Sequence, residues 1–155
     1  MIISLLPALL IGVVAGLRTM AAPAAVSWAA HLGRIDLSES WLAFLGYGWT
    51  PWILTALAAF ELVGDKLPST PSRKAPMQFG ARLVSGALAG AALGIAAGAM
   101  VPGLIAGLVG AALGTLGGAA VRARLAAALG RDLPAALIED VVAIGGAFLI
   151  IRVLA

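Results

Sequence analysis

Charged side chains interrupt this chain where its neighbours are almost wholly apolar, and these are the residues able to do chemistry. Arg18 lies inside GLRTMAAP, Glu61 and Asp65 inside FELVGDKLP, Arg82 inside ARLVSGA, and Glu139 and Asp140 inside IEDVVAIGG. A charge at the centre of a bilayer costs about 2.5–3.5 kcal/mol on insertion scales, so each of these needs a partner or a task. Glu61 and Asp65 are four residues apart, which puts both carboxylates on one helix face. Together with Thr19 beside Arg18, they form the expected substrate- or ion-binding set. Such a layer can bind a cation through oxygen ligands, carry protons, or hold the polar head of a solute. Proton coupling would use Glu61 or Glu139, whose pKa rises if buried without a partner. The competing expectation is a buried network, Arg18 and Arg82 against Glu61 and Glu139, that only fixes helix register.

Other chemistry is largely excluded. There are no cysteines, hence no disulfide, thiolate metal site or cysteine nucleophile. His31 is the single histidine and has no second one to form a metal site with. Phosphate-binding glycine loops and the GxSxG nucleophile elbow are absent, so no catalytic residue and no cofactor is expected, and no metal is assigned. A lipid-modifying enzyme using Glu61, Asp65, Lys66 and Arg82 at the membrane surface is a further alternative. It is weakened by the missing aspartate-rich motif of the CDP-alcohol phosphotransferases. Arg152 reads as a snorkelling residue near a helix end.

The elements that must position these groups follow from composition. With 62% hydrophobic and 11% charged residues and a mean hydropathy of +1.07, the 155-residue chain cannot cover a water-facing surface with polar groups. It reads as one transmembrane domain, residues 1–155, built as an all-α polytopic bundle, because apolar backbone in lipid must satisfy its own hydrogen bonds. About five spans are expected. The first runs from Ile2 to about Leu32, retained rather than cleaved as a signal peptide, and kinked or broken near Thr19–Pro23. The others run from about Trp41 to Val63, Ala81 to Met100, Leu104 to Val121, and Pro134 to the C-terminus, with a tight turn at Pro102 and Gly103. Tyr47, Trp49 and Trp52 suit an interface. Lysine and arginine concentrate in residues 64–80, a proline-rich loop, and in residues 122–134. Both are therefore expected in the cytoplasm, along with the N-terminus, for a protein of the bacterial inner membrane. The net charge of only +3 and the flanking position of the basic residues argue against nucleic acid.

Glycines recur every four residues at Gly86, Gly90, Gly94 and Gly98, and again at Gly103 and Gly107 and at Gly110, Gly114 and Gly118. This spacing predicts a glycine-zipper hairpin of the third and fourth spans, packed through Gly86, Gly90, Gly94, Gly98, Gly107 and Gly114. The surplus glycine face of the fourth span predicts a homo-oligomer, a dimer first. A faint internal repeat, GLRTMAAPAA against GARLVSGALA, is of the kind found in transporters.

At GLRTMAAPA, FELVGDKLPSTPSR, ARLVSGALAGAALG and IEDVVAIGGAFLI, nearly the whole chain resembles an uncharacterised family of small bacterial multi-pass membrane proteins known as a domain of unknown function. The resemblance rests on Arg18, Thr19, Glu61, Asp65, Lys66 and Pro68. It implies a membrane location and brings no established activity. The functional expectation from the residues themselves is a transporter or channel-like protein for an ion or small solute. A structural or assembly role is the alternative.

Overall fold

The computed structural model describes residues 2–67 and 75–154, and every regular element among them is helical. Helix α1 spans Ile2–Leu17, α2 Ala21–His31, α3 Thr50–Gly64, α4 Pro76–Ala96, α5 Met100–Leu129 and α6 Asp132–Val153, with a short 3-10 turn at Ala43–Gly46. Residues 68–74 of the expected 64–80 loop, including Pro68, Arg73 and Lys74, lie outside the described residues, and Pro76 already opens α4.

Three helices, α4, α5 and α6, are long and apolar enough to cross a membrane. α1 and α3 are apolar but shorter, 16 and 15 residues, or about 24 and 22 Å at 1.5 Å per residue. The outward faces carry bulky apolar side chains such as Phe60, Val141, Phe148 and Val153, as helices bathed in lipid require. This is a membrane protein with a helical-bundle fold.

The core is a three-helix unit of α1, α4 and α5, held by glycine. A Cβ on Gly90 would fall 2.7 Å from the Cα of Gly107, and one on Gly103 would fall 2.6 Å from the Cα of Gly94. No side chain fits, so the α4 and α5 backbones touch. Gly86 and Gly107 belong to the same seam. Gly98 does not: it sits in the α4–α5 turn at φ 71°, with nothing within 4 Å of a Cβ placed on it. The turn itself is Ala97–Ala99, so Pro102 and Gly103 belong to the first turn of α5 rather than to the connection. Proline is tolerated there because its missing N–H would have no helical partner.

The second glycine face of α5 is covered within the chain. Cβ atoms on Gly110 and Gly114 would each meet Val13 backbone at 2.9 Å, and Gly16 of α1 lies equally close to Thr115. The stripe expected to seat a second subunit is therefore filled by α1. Gly12 and Gly16, four apart, carry the same signal on α1.

The first apolar stretch is broken, as expected, and the break reverses the chain. Gly12 packs against Gly107 and Gly16 against Ala111 and Thr115, so α1 runs parallel to α5. Thr19 and Met20 meet Glu61, whereas Trp28 meets Thr55 and Trp52, so α2 runs antiparallel to α3. α1 enters the end of the bundle that holds Arg18 and α2 leaves it. The start of α1 thus lies at the opposite end from Asp65, where a continuous crossing would have put both at one end. Pro23 explains the break: it has no N–H to give Thr19 O, and its ring would clash with that carbonyl in a continuous helix.

α5 also corrects the reading of residues 122–134 as a loop. It continues to Leu129 and ends on Gly130 at φ 70°, so Arg122 and Arg124 are helical, and only Gly130 and Arg131 connect it to α6.

Candidate functional site

The break between α1 and α2 leaves helix termini inside the bundle, and charged side chains from other helices close them. The carboxylate of Glu61 accepts from both Thr19 N at 2.6 Å and Met20 N at 2.8 Å, capping α2 where negative charge is favoured by the helix dipole. At the other terminus Arg82 donates to Gly16 O at 2.7 Å, and Thr115 reaches the same oxygen at 3.3 Å. Thr19 O, freed by Pro23, accepts from Ser85 at 2.5 Å. Arg82 and Glu61 also approach each other at 4.0 Å. Thr19 takes part through its backbone, as does Met20.

Arg18 sits in the break itself, 1% exposed. Its guanidinium is bonded to Asp65 and to Asp140, the latter through Nε at 2.6 Å, and lies 3.7 Å from Glu139. Lys66 Nζ bridges to Asp140 at 2.5 Å and to Leu62 O at 2.8 Å. Arg122 reaches in from α5, to Asp65 at 3.2 Å and Glu139 at 3.3 Å, and forks onto Asp132 at 2.7 and 3.1 Å. Burial pushes the Asp65 carboxyl up, but the Arg18 and then the Arg122 guanidinium outweigh this and hold it below the ordinary aspartate value.

All seven site residues singled out from sequence thus meet in one layer: Arg18, Thr19, Glu61, Asp65, Arg82, Glu139 and Asp140. They form two neighbouring groups, a capping group around Glu61 and Arg82 and an ion-pair group around Arg18. Arg122 is not among the seven, because its expected place is a loop. Its signal was present: it lies ten residues before Asp132, within reach across a tight helix–helix connection. No group of three or more metal-type side chains able to hold an ion occurs among the described residues, since the carboxylates are turned onto cations.

Above this layer a groove of about 790 Å³ runs between α2, α3 and α6. Arg18 and Glu61 stand at one end of its lining and Arg34 and Arg152 at the other, with Ala21, Ala24, Ala25, Trp28, Ala58 and Phe148 among the walls. α3 rests on α2 and the 3-10 turn without substantial packing on α6, so the groove opens sideways between them. Trp28 ties its floor to its wall, donating to Thr55 at 2.9 Å and meeting Trp52 edge-on at 5.0 Å. His31 stacks edge-on with Trp28 and has no metal-type neighbour among the described residues.

The chain belongs to a family defined only as a domain of unknown function, DUF4126, whose profile matches residues 5–153. No curated protein and no solved structure matches it.

Proposed function

We propose that the protein is a membrane carrier for a small solute with an apolar body, and that the groove between α2, α3 and α6 is its site. The observation that carries this is the groove itself: a cavity of about 790 Å³ with mostly apolar walls and a polar end at Arg18 and Glu61. Cavities of this size and character are the usual sites of small-molecule binding. A broken helix at the inner end of the site is a device shared by many transporters. The ion-pair layer beneath the groove acts as the closed gate. Arg18 and Asp140 are bonded across it, so passage requires these pairs to part.

The basic residues support an orientation. Lys66, Arg122, Arg124 and Arg131 fall in or beside the two connections at the charged end, against Arg34 and Arg152 at the other. On this reading the charged end faces the cytoplasmic side of a bacterial inner membrane, and α1 begins and α6 ends towards the outer side.

Proteoliposomes holding the protein should move a short-chain, nitrobenzoxadiazole-labelled amphiphile between leaflets faster than protein-free vesicles, read by dithionite quenching. Ala25→Phe, which fills the groove, should return the rate to background with the helix content unchanged. No acceleration by the native protein sinks the carrier reading.

One observation favours a second reading, an assembly or scaffold role. Arg82 and Glu139 do not line the groove, and the charged layer closes on itself as ion pairs and helix caps. In that case the variants change stability and leave amphiphile movement at background throughout.

A further inference from the structure

We infer that the groove holds an anionic membrane lipid, its acyl chain lying along α2 and its headgroup clasped by Arg34 and Arg152. The inference rests on the groove being the site and names its occupant.

The two ends of the groove differ in what they offer. At the inner end the charges are spent: Arg18 is bonded to Asp65 and Asp140, and Glu61 accepts the two backbone N–H groups that open α2. At the outer end both guanidiniums are exposed, and among the described residues neither has a carboxylate partner. Asp36 and Glu39 share the loop with Arg34, and neither pairs with it: Asp36 is turned onto Ser38, accepting from its N at 3.0 Å and from its hydroxyl at 2.6 Å.

The length fits as well. From Ala21 to Leu32, just past the end of α2, is about 17 Å at 1.5 Å per residue, roughly half the hydrocarbon thickness of a bilayer and so about one leaflet. Arg34 follows Leu32, and Arg152 is at the last turn of α6, where a headgroup region would begin. An apolar slot one leaflet deep, with two exposed arginines at its mouth that have no carboxylate partner among the described residues, matches an acyl chain bearing a phosphate. Guanidinium forks bind phosphate oxygens in pairs. A small polar solute would find few partners along alanine walls.

Trp28 lines the groove and provides the readout. A variant retaining Trp28 alone (Trp41, Trp49 and Trp52→Phe) is placed in phosphatidylcholine nanodiscs doped with lipid brominated on the acyl chain. Each basic residue near a membrane surface adds about fivefold in affinity for anionic lipid, so brominated phosphatidylglycerol should quench Trp28 with about 25-fold preference over brominated phosphatidylcholine. Arg34→Gln/Arg152→Gln should abolish the preference. Both positions are exposed, so folding should survive. Equal quenching by the two lipids, with Ala25→Phe reducing both, overturns the anionic headgroup and keeps the groove as a site. Quenching that Ala25→Phe leaves unchanged overturns the occupied groove, and the carrier reading with it. Preference that persists in the double variant overturns the assignment to Arg34 and Arg152.

Discussion

Replacing Arg18 by glutamine tests the charged layer most directly. Arg18 is 1% exposed and is bonded to Asp65 and Asp140, with Glu139 at 3.7 Å. Removing one partner of a buried ion pair costs about 3–5 kcal/mol, because the charge left behind stays buried. Here the carboxylates keep some support: Lys66 remains 2.5 Å from Asp140, and Arg122 3.2 Å from Asp65. The lower end of that range, about 3 kcal/mol, is therefore expected. The assay is reversible unfolding in mixed micelles titrated with dodecyl sulfate and followed by helical ellipticity. Arg18→Gln/Asp140→Asn should lose less than the two single variants add up to, with a coupling of about 1–3 kcal/mol. Were Arg18→Gln to fall within about 0.5 kcal/mol of the native protein, the geometry assigned to this layer would be refuted.

Glu61→Ala removes a carboxylate that accepts two charge-assisted hydrogen bonds, each worth about 1.5–3 kcal/mol, and should speed amide exchange at Thr19 and Met20. Glu61→Gln keeps one acceptor oxygen and should show about half the loss; equal exchange in all three proteins would remove the capping role. In α5, Gly107→Ala should destabilise strongly because its Cβ would enter the Gly90 backbone, whereas Gly117→Ala, with nothing within 4 Å, should be neutral or gain about 0.5–1 kcal/mol. A similar effect at both positions would contradict the packing of α4 on α5. The lowered pKa of Asp65 means that its stabilisation is fully present above the unfolded value, about 3.9, and is lost as pH falls through the lower folded value. Unfolding midpoints should fall below about pH 4 in the native protein, and Asp65→Asn should flatten that slope; an unchanged slope would exclude Asp65 as a contributor. Ser85→Ala strands Thr19 O and should cost about 1–3 kcal/mol in the same unfolding assay, with no loss arguing that water replaces the hydroxyl.

Local rules settled a good part of this protein from the sequence alone. Apolar runs in lipid can only be helices, so class and membrane location follow from composition. Four-residue glycine spacing brings two backbones together, so the α4–α5 contact follows from Gly90, Gly94, Gly103 and Gly107. Charges in apolar surroundings need partners, so Arg18, Glu61, Asp65, Arg82, Glu139 and Asp140 stand out before any helix is placed, although which of them meet does not. Direction and partnership needed the tertiary structure. Pro23 predicts a break, but not that the chain turns back there, because the N–H that proline lacks is missing alike in a kinked helix and in a hairpin. The surplus glycine face of α5 predicts a close neighbour, but not that the neighbour is α1 of the same chain. Arg122 and Glu61 were visible as charges, yet the fork onto Asp132 and the cap on α2 depend on which helices lie side by side. The groove arises because α3 and α6 stand apart, and a space between elements has no residues of its own to leave a mark in the sequence.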